Sequence, residues 1–334
     1  MIDLKLNVLY QFNEKYATFA GVSITSLLEN NKKMKEINVY ILGEALTEES
    51  VNKLQSVAAK YKRNIIFKET ETVIERMKEW GIPSYRGAYS ANLRLFLPLI
   101  LEENELDERI LYLDADTIVA SPLDELINID MQEYALAMSL DSLGARYKET
   151  IGLRADELYY NSGVILFEMR NWRKKQCTER IIDYLKTGHT HFASPDQDLL
   201  NIVCQKEIKC ISACYNLQPV HLAFRIKDYY KCYGREAYYD QSQLEEAIND
   251  TVVFHCFRFL GEFPWHYGNL HPDNDLFDQY LAMSPWSDYV KRKAEAGILM
   301  KIEKILFRFL PHMLFLRLFV LAHNIYAQGS KEIA

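Results

Sequence analysis

Residues 109–119 read Arg109-Ile-Leu-Tyr-Leu-Asp114-Ala-Asp116-Thr-Ile-Val119, an apolar run of strand length that leads straight into two carboxylates spaced two apart. Side chains at i and i+2 of an extended segment share one side, so Asp114 and Asp116 can reach one hard divalent cation where the strand ends. A cation held there would bridge to a diphosphate. The plain alternative is an Asp pair making turn and cap hydrogen bonds after a strand.

The flanks place this strand in an α/β fold. Asn7 to Phe12 is a short apolar run, followed by Ala17, Ala20, Gly21, Ile24, Leu27 and Leu28 at helical spacing. Ile37 to Gly43 is a second strand, and Thr47 is placed to cap a helix striped by Val51, Leu54, Ala58 and Tyr61. Asn64 to Phe67 repeats the strand signal, and helix-forming sequence from Ala88 to Glu103 leads back to the Asp-rich strand. Alternating elements of this kind predict a mostly parallel, Rossmann-related sheet with helices on both faces. Strands at Tyr134 to Asp141, Gly163 to Glu168, Ile208 to Ala213 and Thr251 to Phe257, with a helix over Trp172 to Lys186, make the second half mixed. Ligands bind such sheets outside the carboxyl ends of the strands, where Asp114 and Asp116 fall.

At 334 residues with 49% hydrophobic and 25% charged residues, the chain can bury a full core and is no peptide-sized binding module. A formal net charge of -7 argues against a general nucleic-acid binder, which needs clustered Lys and Arg. The opening Met-Ile-Asp-Leu-Lys-Leu-Asn lacks the features of a secretory signal, so a cytoplasmic location is expected. The six cysteines form no Cys-x-x-Cys pair and read as reduced thiols.

Four segments stand in order along the chain: Leu111 to Asp116, Tyr160 to Val164 (Tyr-Asn-Ser-Gly-Val), Pro195 to Leu199 (Pro-Asp-Gln-Asp-Leu), and His255 followed by Pro264-Trp265-His266. Together they resemble glycosyltransferase family 8, the retaining transferases that include lipopolysaccharide galactosyl- and glucosyltransferases and glycogenin. The resemblance covers about residues 7 to 270 and implies a GT-A-like fold. It also implies a UDP-hexose donor and a glycan or glycolipid acceptor. Asp114, Asp116 and His255 would bind one Mn²⁺, with Mg²⁺ as the alternative; an imidazole ligand favours Mn²⁺.

The same resemblance assigns roles to other residues. Arg94 would bridge sugar hydroxyls and a carboxylate, against the plain reading of an arginine snorkelling from an apolar helix. Asp141 and Asn161 correspond to residues that hold the donor sugar or the acceptor. Asp196 and Gln197 would hold the reacting sugar, with Gln197 nearest the face of attack; helix capping by Ser194 or Asp196 is compatible with this. Asn13 and Tyr16, in Phe12-Asn13-Glu14-Lys15-Tyr16, stand where the family's Ala-Asp-Asp-Asn-Tyr meets the nucleotide, so Asn13 would face the uracil edge in place of Asp. The family's Gly-x-x-Lys-Pro-Trp becomes Leu260-Gly261-Glu262-Phe263-Pro264-Trp265, without the phosphate-binding lysine. Arg258 is the candidate to replace its charge.

The sequence changes character near Pro272, which suggests a catalytic domain over 1–271 and a helical, basic amphipathic tail over 272–334. From Pro285 onward there are eight Lys or Arg against four Asp or Glu. Lys301, Lys304, Arg308 and Arg317 interleave with apolar residues, and the longest apolar run, Leu318 to Ala322, is far too short to span a bilayer. Residues 298–327 therefore predict helices lying on an anionic membrane, kinked at Pro311, peripheral on the inner face of the cell membrane. The alternative is a helical pair packed on protein. Two rival readings of the whole chain are a haloacid-dehalogenase-like phosphatase, since Leu113 to Ile118 also fits that first motif, and a membrane-attached sugar-nucleotide- or glycan-binding subunit without turnover.

Overall fold

The computed structural model describes residues 2–82, 84, 87–142, 147–188, 192, 194–233, 237–295 and 297–329, with side chains from residue 5 to residue 322. Its centre is a seven-stranded mixed sheet in the order β3-β2-β1-β4-β7-β6-β8. β1 (Ile2–Asn13), β2 (Met34–Glu44), β3 (Asn64–Phe67) and β4 (Arg109–Leu113) run parallel. β7 (Tyr160–Glu168) is antiparallel to both β4 and β6 (Leu136–Leu140), and β8 (Ile208–Cys210) closes the far edge parallel to β6.

Period-two alternation divides the buried side chains between the two faces of this sheet. Leu9, Tyr112, Leu136, Met138, Ile165 and Phe167 join one core cluster, and Val8, Tyr10, Leu111, Leu113, Ala137 and Leu166 join the other. Helix α1 (Ala17–Asn30) covers the second face, and Thr47 caps α2 (Glu48–Lys60) by accepting from Ser50 N. The helix Asn274–Met283 lies beside α1 in that same cluster through Phe277, Tyr280 and Leu281. Trp286 also belongs there, packed so closely on Gly21 that a Cβ would stand 2.0 Å from its ring. The first helix after Pro272 is thus part of the sheet's own packing.

Several expected elements are shorter or broken. The strand leading to the aspartates ends as expected, with β4 stopping at Leu113 and residues 114–116 turning, but a further short strand follows, β5 (Thr117–Val119), which leaves the main sheet. β5 pairs antiparallel with β9 (Val253–His255), itself shorter than the expected Thr251 to Phe257, in a separate two-stranded sheet. The helix expected over Ala88 to Glu103 is a 3₁₀ stretch, Ser90–Leu99, kinked at Phe96, because Pro98 cannot donate to an α-helical ladder. Trp172 to Lys186 is divided between helices Met169–Lys174 and Cys177–Lys186 by Gln176, whose φ is 52°.

The tail forms helices Ile298–Phe309 and His312–Gly329, broken at Pro311 as expected. Phe315, Leu316, Phe319 and Val320 are buried against the domain, and Phe315 stacks on Phe224. Lys304 reaches Glu262 at 2.7 Å, and Met300 covers Gly261. The opposite faces expose Ile298, Leu299, Ile305, Phe309 and Leu321. One face of each helix therefore packs on protein while another stays apolar and open; side chains beyond residue 322 lie outside the described residues. Among the described residues no helix is long and apolar enough to cross a membrane.

Candidate active site

The Asp-x-Asp segment is a tight turn at the carboxyl end of β4. Thr117 closes it, its N–H donating to Asp114 O at 3.2 Å and its hydroxyl to the same oxygen at 2.8 Å. Turn chemistry and ligand presentation therefore coexist at Asp114. β5 and β9 then put His255 opposite Thr117, and Cys256 N donates to Asp116 O at 2.7 Å. This ladder carries the histidine to the aspartates: His255 Nε2 lies 3.5 Å from Asp114 Oδ2 and 3.4 Å from Asp116 Oδ1. One ligand atom from each of the three residues lies within 4.8 Å of the others.

That donor set fits a hard or borderline divalent cation. Neighbouring donors about 2.1 Å from an octahedral ion stand about 3 Å apart, so only small adjustments would bring these atoms onto one ion. His255 Nδ1 is already engaged by Asn216 Oδ1 at 2.9 Å, which leaves Nε2 to face the carboxylates.

Arg94 is buried beside this trio, not snorkelled to solvent. Its Nη2 lies 3.3 Å from Asp114 Oδ1 and 3.1 Å from Asp196 Oδ2, and Nη1 donates to Ser162 O at 2.5 Å. The Tyr112 ring lies under the guanidinium at 3.9 Å, with its hydroxyl hydrogen-bonded to Asp114. Gln11 Oε1 accepts from Arg94 N at 2.9 Å, fixing the 3₁₀ stretch to β1.

A bulge in β7, between the pairs Leu140–Tyr160 and Met138–Ile165, presents Asn161 and Ser162 to the same region. Asn161 Nδ2 donates to Asp141 Oδ2 at 2.9 Å, and Ser162 Oγ donates to Asp196 Oδ2 at 2.9 Å. Gln197, in the first turn of the helix Pro195–Val203, accepts from Ser162 N at 3.0 Å. Its Nε2 donates to Asp141 Oδ2 at 3.2 Å and Tyr159 OH at 3.0 Å. The Ser194 hydroxyl makes no cap; Asp198 accepts from Ser194 N and from the hydroxyls of Tyr147 and Tyr159.

The charges of the site offset one another. Packing raises the Asp114 pKa, but Arg94, His255 and Tyr112 outweigh it and bring the group down to about 2. Burial lowers the His255 pKa, yet hydrogen bonds to Asp114 and Asp116 carry it up to about 10. Asp196 is pushed upward because burial outweighs the attraction of Arg94. Without a cation, a proton on His255 offsets the aspartates.

A family model described as glycosyl transferase family 8 matches residues 7–268. The chain belongs to glycosyltransferase family 8. It is 28% identical over 297 residues to a lipopolysaccharide 1,2-glucosyltransferase of Escherichia coli, covering 86% of this chain and 81% of that protein. It is 23% identical over 277 residues to general stress protein A of Bacillus subtilis, covering 82% of this chain and 92% of that one. Among solved structures it resembles the galactosyltransferase LgtC in complex with donor and acceptor sugar analogues, with a TM-score of 0.68 and 20% identity over 84% of this chain and 96% of that one. At that identity the likeness shows the fold, which is GT-A-like. Membership of family 8 displaces the phosphatase reading.

Among the residues expected in the family 8 site, Arg94, Asp114, Asp116, Asp141, Asn161, Asp196, Gln197 and His255 are linked by the contacts above. Asn13 and Tyr16 stand at the end of β1, where Asn13 Oδ1 accepts from Lys15 N at 3.2 Å and Tyr16 meets Trp265 edge to face at 6.4 Å. Arg258 is exposed, its guanidinium 5.3 Å from the Phe263 ring. Sequence reasoning missed Tyr112, Ser162 and Asn216. Tyr112 was within reach, since it precedes Asp114 by two on one strand. Asn216 carries no such signal.

Proposed function

We propose that this chain is a metal-dependent retaining hexosyltransferase that moves glucose or galactose from a UDP-sugar to a hydroxyl of a surface glycan or lipid-linked oligosaccharide. The observation that carries the reading is the convergence of Asp114, Asp116 and His255 beside the buried Arg94–Asp196 pair. A diphosphate would meet Asp114, Asp116, Asp141 and Asp196 here against one buried guanidinium, so its binding needs a compensating cation. Mn²⁺, or Mg²⁺, held by Asp114, Asp116 and His255 would supply Lewis-acid stabilisation of the charge on the departing nucleoside diphosphate.

The chain's own groups do the rest. Asn13 and Tyr16 take the nucleotide end, and Arg258 supplies the charge of the absent lysine. Asp141 and Asn161 offer short polar groups suited to sugar hydroxyls. Asp196 is already engaged by Arg94 and Ser162, which makes it a poor nucleophile. This favours attack from the leaving-group face, with the departing phosphate accepting the acceptor's proton. Gln197 Oε1 accepts from Ser162 N at 3.0 Å and, more loosely, from the Ser162 hydroxyl at 3.4 Å; that hydroxyl is held more closely by Asp196, so Gln197 Oε1 can turn to the developing positive charge. The open apolar and basic face of the tail supports attachment to an anionic membrane, and with it a lipid-linked acceptor.

The test is release of nucleoside diphosphate from a panel of UDP-, GDP- and dTDP-sugars with Mn²⁺ or EDTA, wild type beside Asp116→Asn. Metal-dependent release of UDP from one hexose donor, lost in the variant, is expected. Silence across the panel together with no UDP binding by calorimetry would favour a subunit without turnover. A glycosyl adduct trapped on Asp196 or Gln197 would replace front-face attack with double displacement.

A further inference from the structure

The side chain of Asn216 is fully buried between the cation side and the sugar side of the site. Its partners dictate which way its amide points. Gly163 N–H donates to Asn161 Oδ1 at 2.9 Å, so that atom is an acceptor, and Asn161 Nδ2 donates to the Asp141 carboxylate at 2.9 Å. Asn216 must then turn Nδ2 toward Asn161 Oδ1, at 2.9 Å, and Oδ1 toward His255 Nδ1, also at 2.9 Å. An amide oxygen only accepts, so Nδ1 carries the hydrogen. In the neutral ring Nε2 keeps its lone pair, and Nε2 is the atom facing Asp114 and Asp116.

We infer that Asn216 is a positioning residue that sets the tautomer and tilt of His255, and so the affinity of the site for a divalent cation. The inference rests on the metal reading above. The polarity of the whole line, Asp141 to Asn161 to Asn216 to His255, is anchored at one end by a carboxylate that can only accept and in the middle by a backbone N–H that can only donate. Removing a hydrogen-bond partner of a ligating histidine typically weakens metal binding about 10- to 100-fold.

The test is Mn²⁺ titration by calorimetry of the full chain without nucleotide, comparing wild type, Asn216→Ser and Asn216→Asp. Asn216→Ser is expected to bind about 10- to 100-fold more weakly. Asn216→Asp, which still accepts from Nδ1–H, should recover most of the affinity. Equal affinity in wild type and Asn216→Ser overturns the role of Asn216 alone, whereas no Mn²⁺ binding by wild type removes the metal reading and this inference with it. If Asn216→Ser fails to fold, ¹⁵N spectra of the Mg²⁺-loaded wild type carry the test: His255 protonated at Nδ1 is expected, and protonation at Nε2 overturns the inference.

Discussion

Gly163 and His255 are in such close contact that a Cβ on residue 163 would stand 2.0 Å from the ring's Cε1 and 2.4 Å from Nδ1. The glycine in Tyr160 to Val164 is there for the imidazole, not for an unusual backbone. Gly163→Ala must push the ring off its place or strain the strand. We expect Mn²⁺ affinity to fall at least about tenfold, with a stability loss of about 1–3 kcal/mol. Calorimetric titration and thermal melts in EDTA check both, and unchanged affinity would remove His255 from the ligand set.

Cation binding should release a proton. His255 in the cation-free protein is raised from 6.5 to about 10, so at pH 7 it is charged and must deprotonate to ligate. Apparent Mn²⁺ affinity is expected to rise about tenfold per pH unit up to that value, read by calorimetry in buffers of different ionisation enthalpy. Cation-free stability runs the other way: the raised His255 pKa contributes stability that is complete below about 6.5 and lost as pH rises through about 10. The depressed Asp114 contributes stability present above its ordinary pKa and lost as pH falls through about 2.

Arg94→Met should leave Asp114 and Asp196 facing each other without their cation. Breaking a buried pair from one side costs about 3–5 kcal/mol, which urea denaturation at pH 7 would read. The deficit should shrink at lower pH, because the released carboxylates take up protons more readily. A cost that does not vary with pH would assign Arg94 a packing role only.

Arg258→Ala is expected to weaken UDP binding in the presence of Mn²⁺ roughly ten- to hundredfold, the worth of a charged hydrogen bond of about 1.5–3 kcal/mol. Its exposed position predicts no change in melting temperature. Unchanged UDP affinity would take Arg258 out of the phosphate site.

For the tail, vesicles containing anionic lipid should retain the protein at low salt and release it as salt rises. Lys301→Glu with Arg308→Glu, both on exposed positions, should abolish retention while leaving donor hydrolysis unchanged. Failure of the wild-type protein to bind at low salt would leave the open apolar face without a lipid partner.

The alternation of strands and helices was legible because buried strands and amphipathic helices carry periodic signals, and Asn64–Phe67 and the Thr47 cap were read to the residue. β5 was not. Thr117, Ile118 and Val119 are too few to signal a second strand after the aspartates. Only their partner, β9, far along the chain, draws them into another sheet. Arg94 was found through its motif context, whereas its burial depends on Asp114, Asp196 and Ser162 meeting in space. Asn216 stayed hidden because both of its partners come from distant strands.

The pairing of β5 with β9 is only three residue pairs long: Thr117 with His255, Ile118 with Phe254, and Val119 with Val253. The relation of His255 to Asp116 hangs on this ladder, which stands apart from the seven-stranded sheet and touches the core through Ile118, Val119 and Val253. Heat or mild denaturant that opens so short a ladder disassembles the donor set while the bulk of the fold stands. The molecule can thus fall silent while still folded, and loss of function should precede the melting transition.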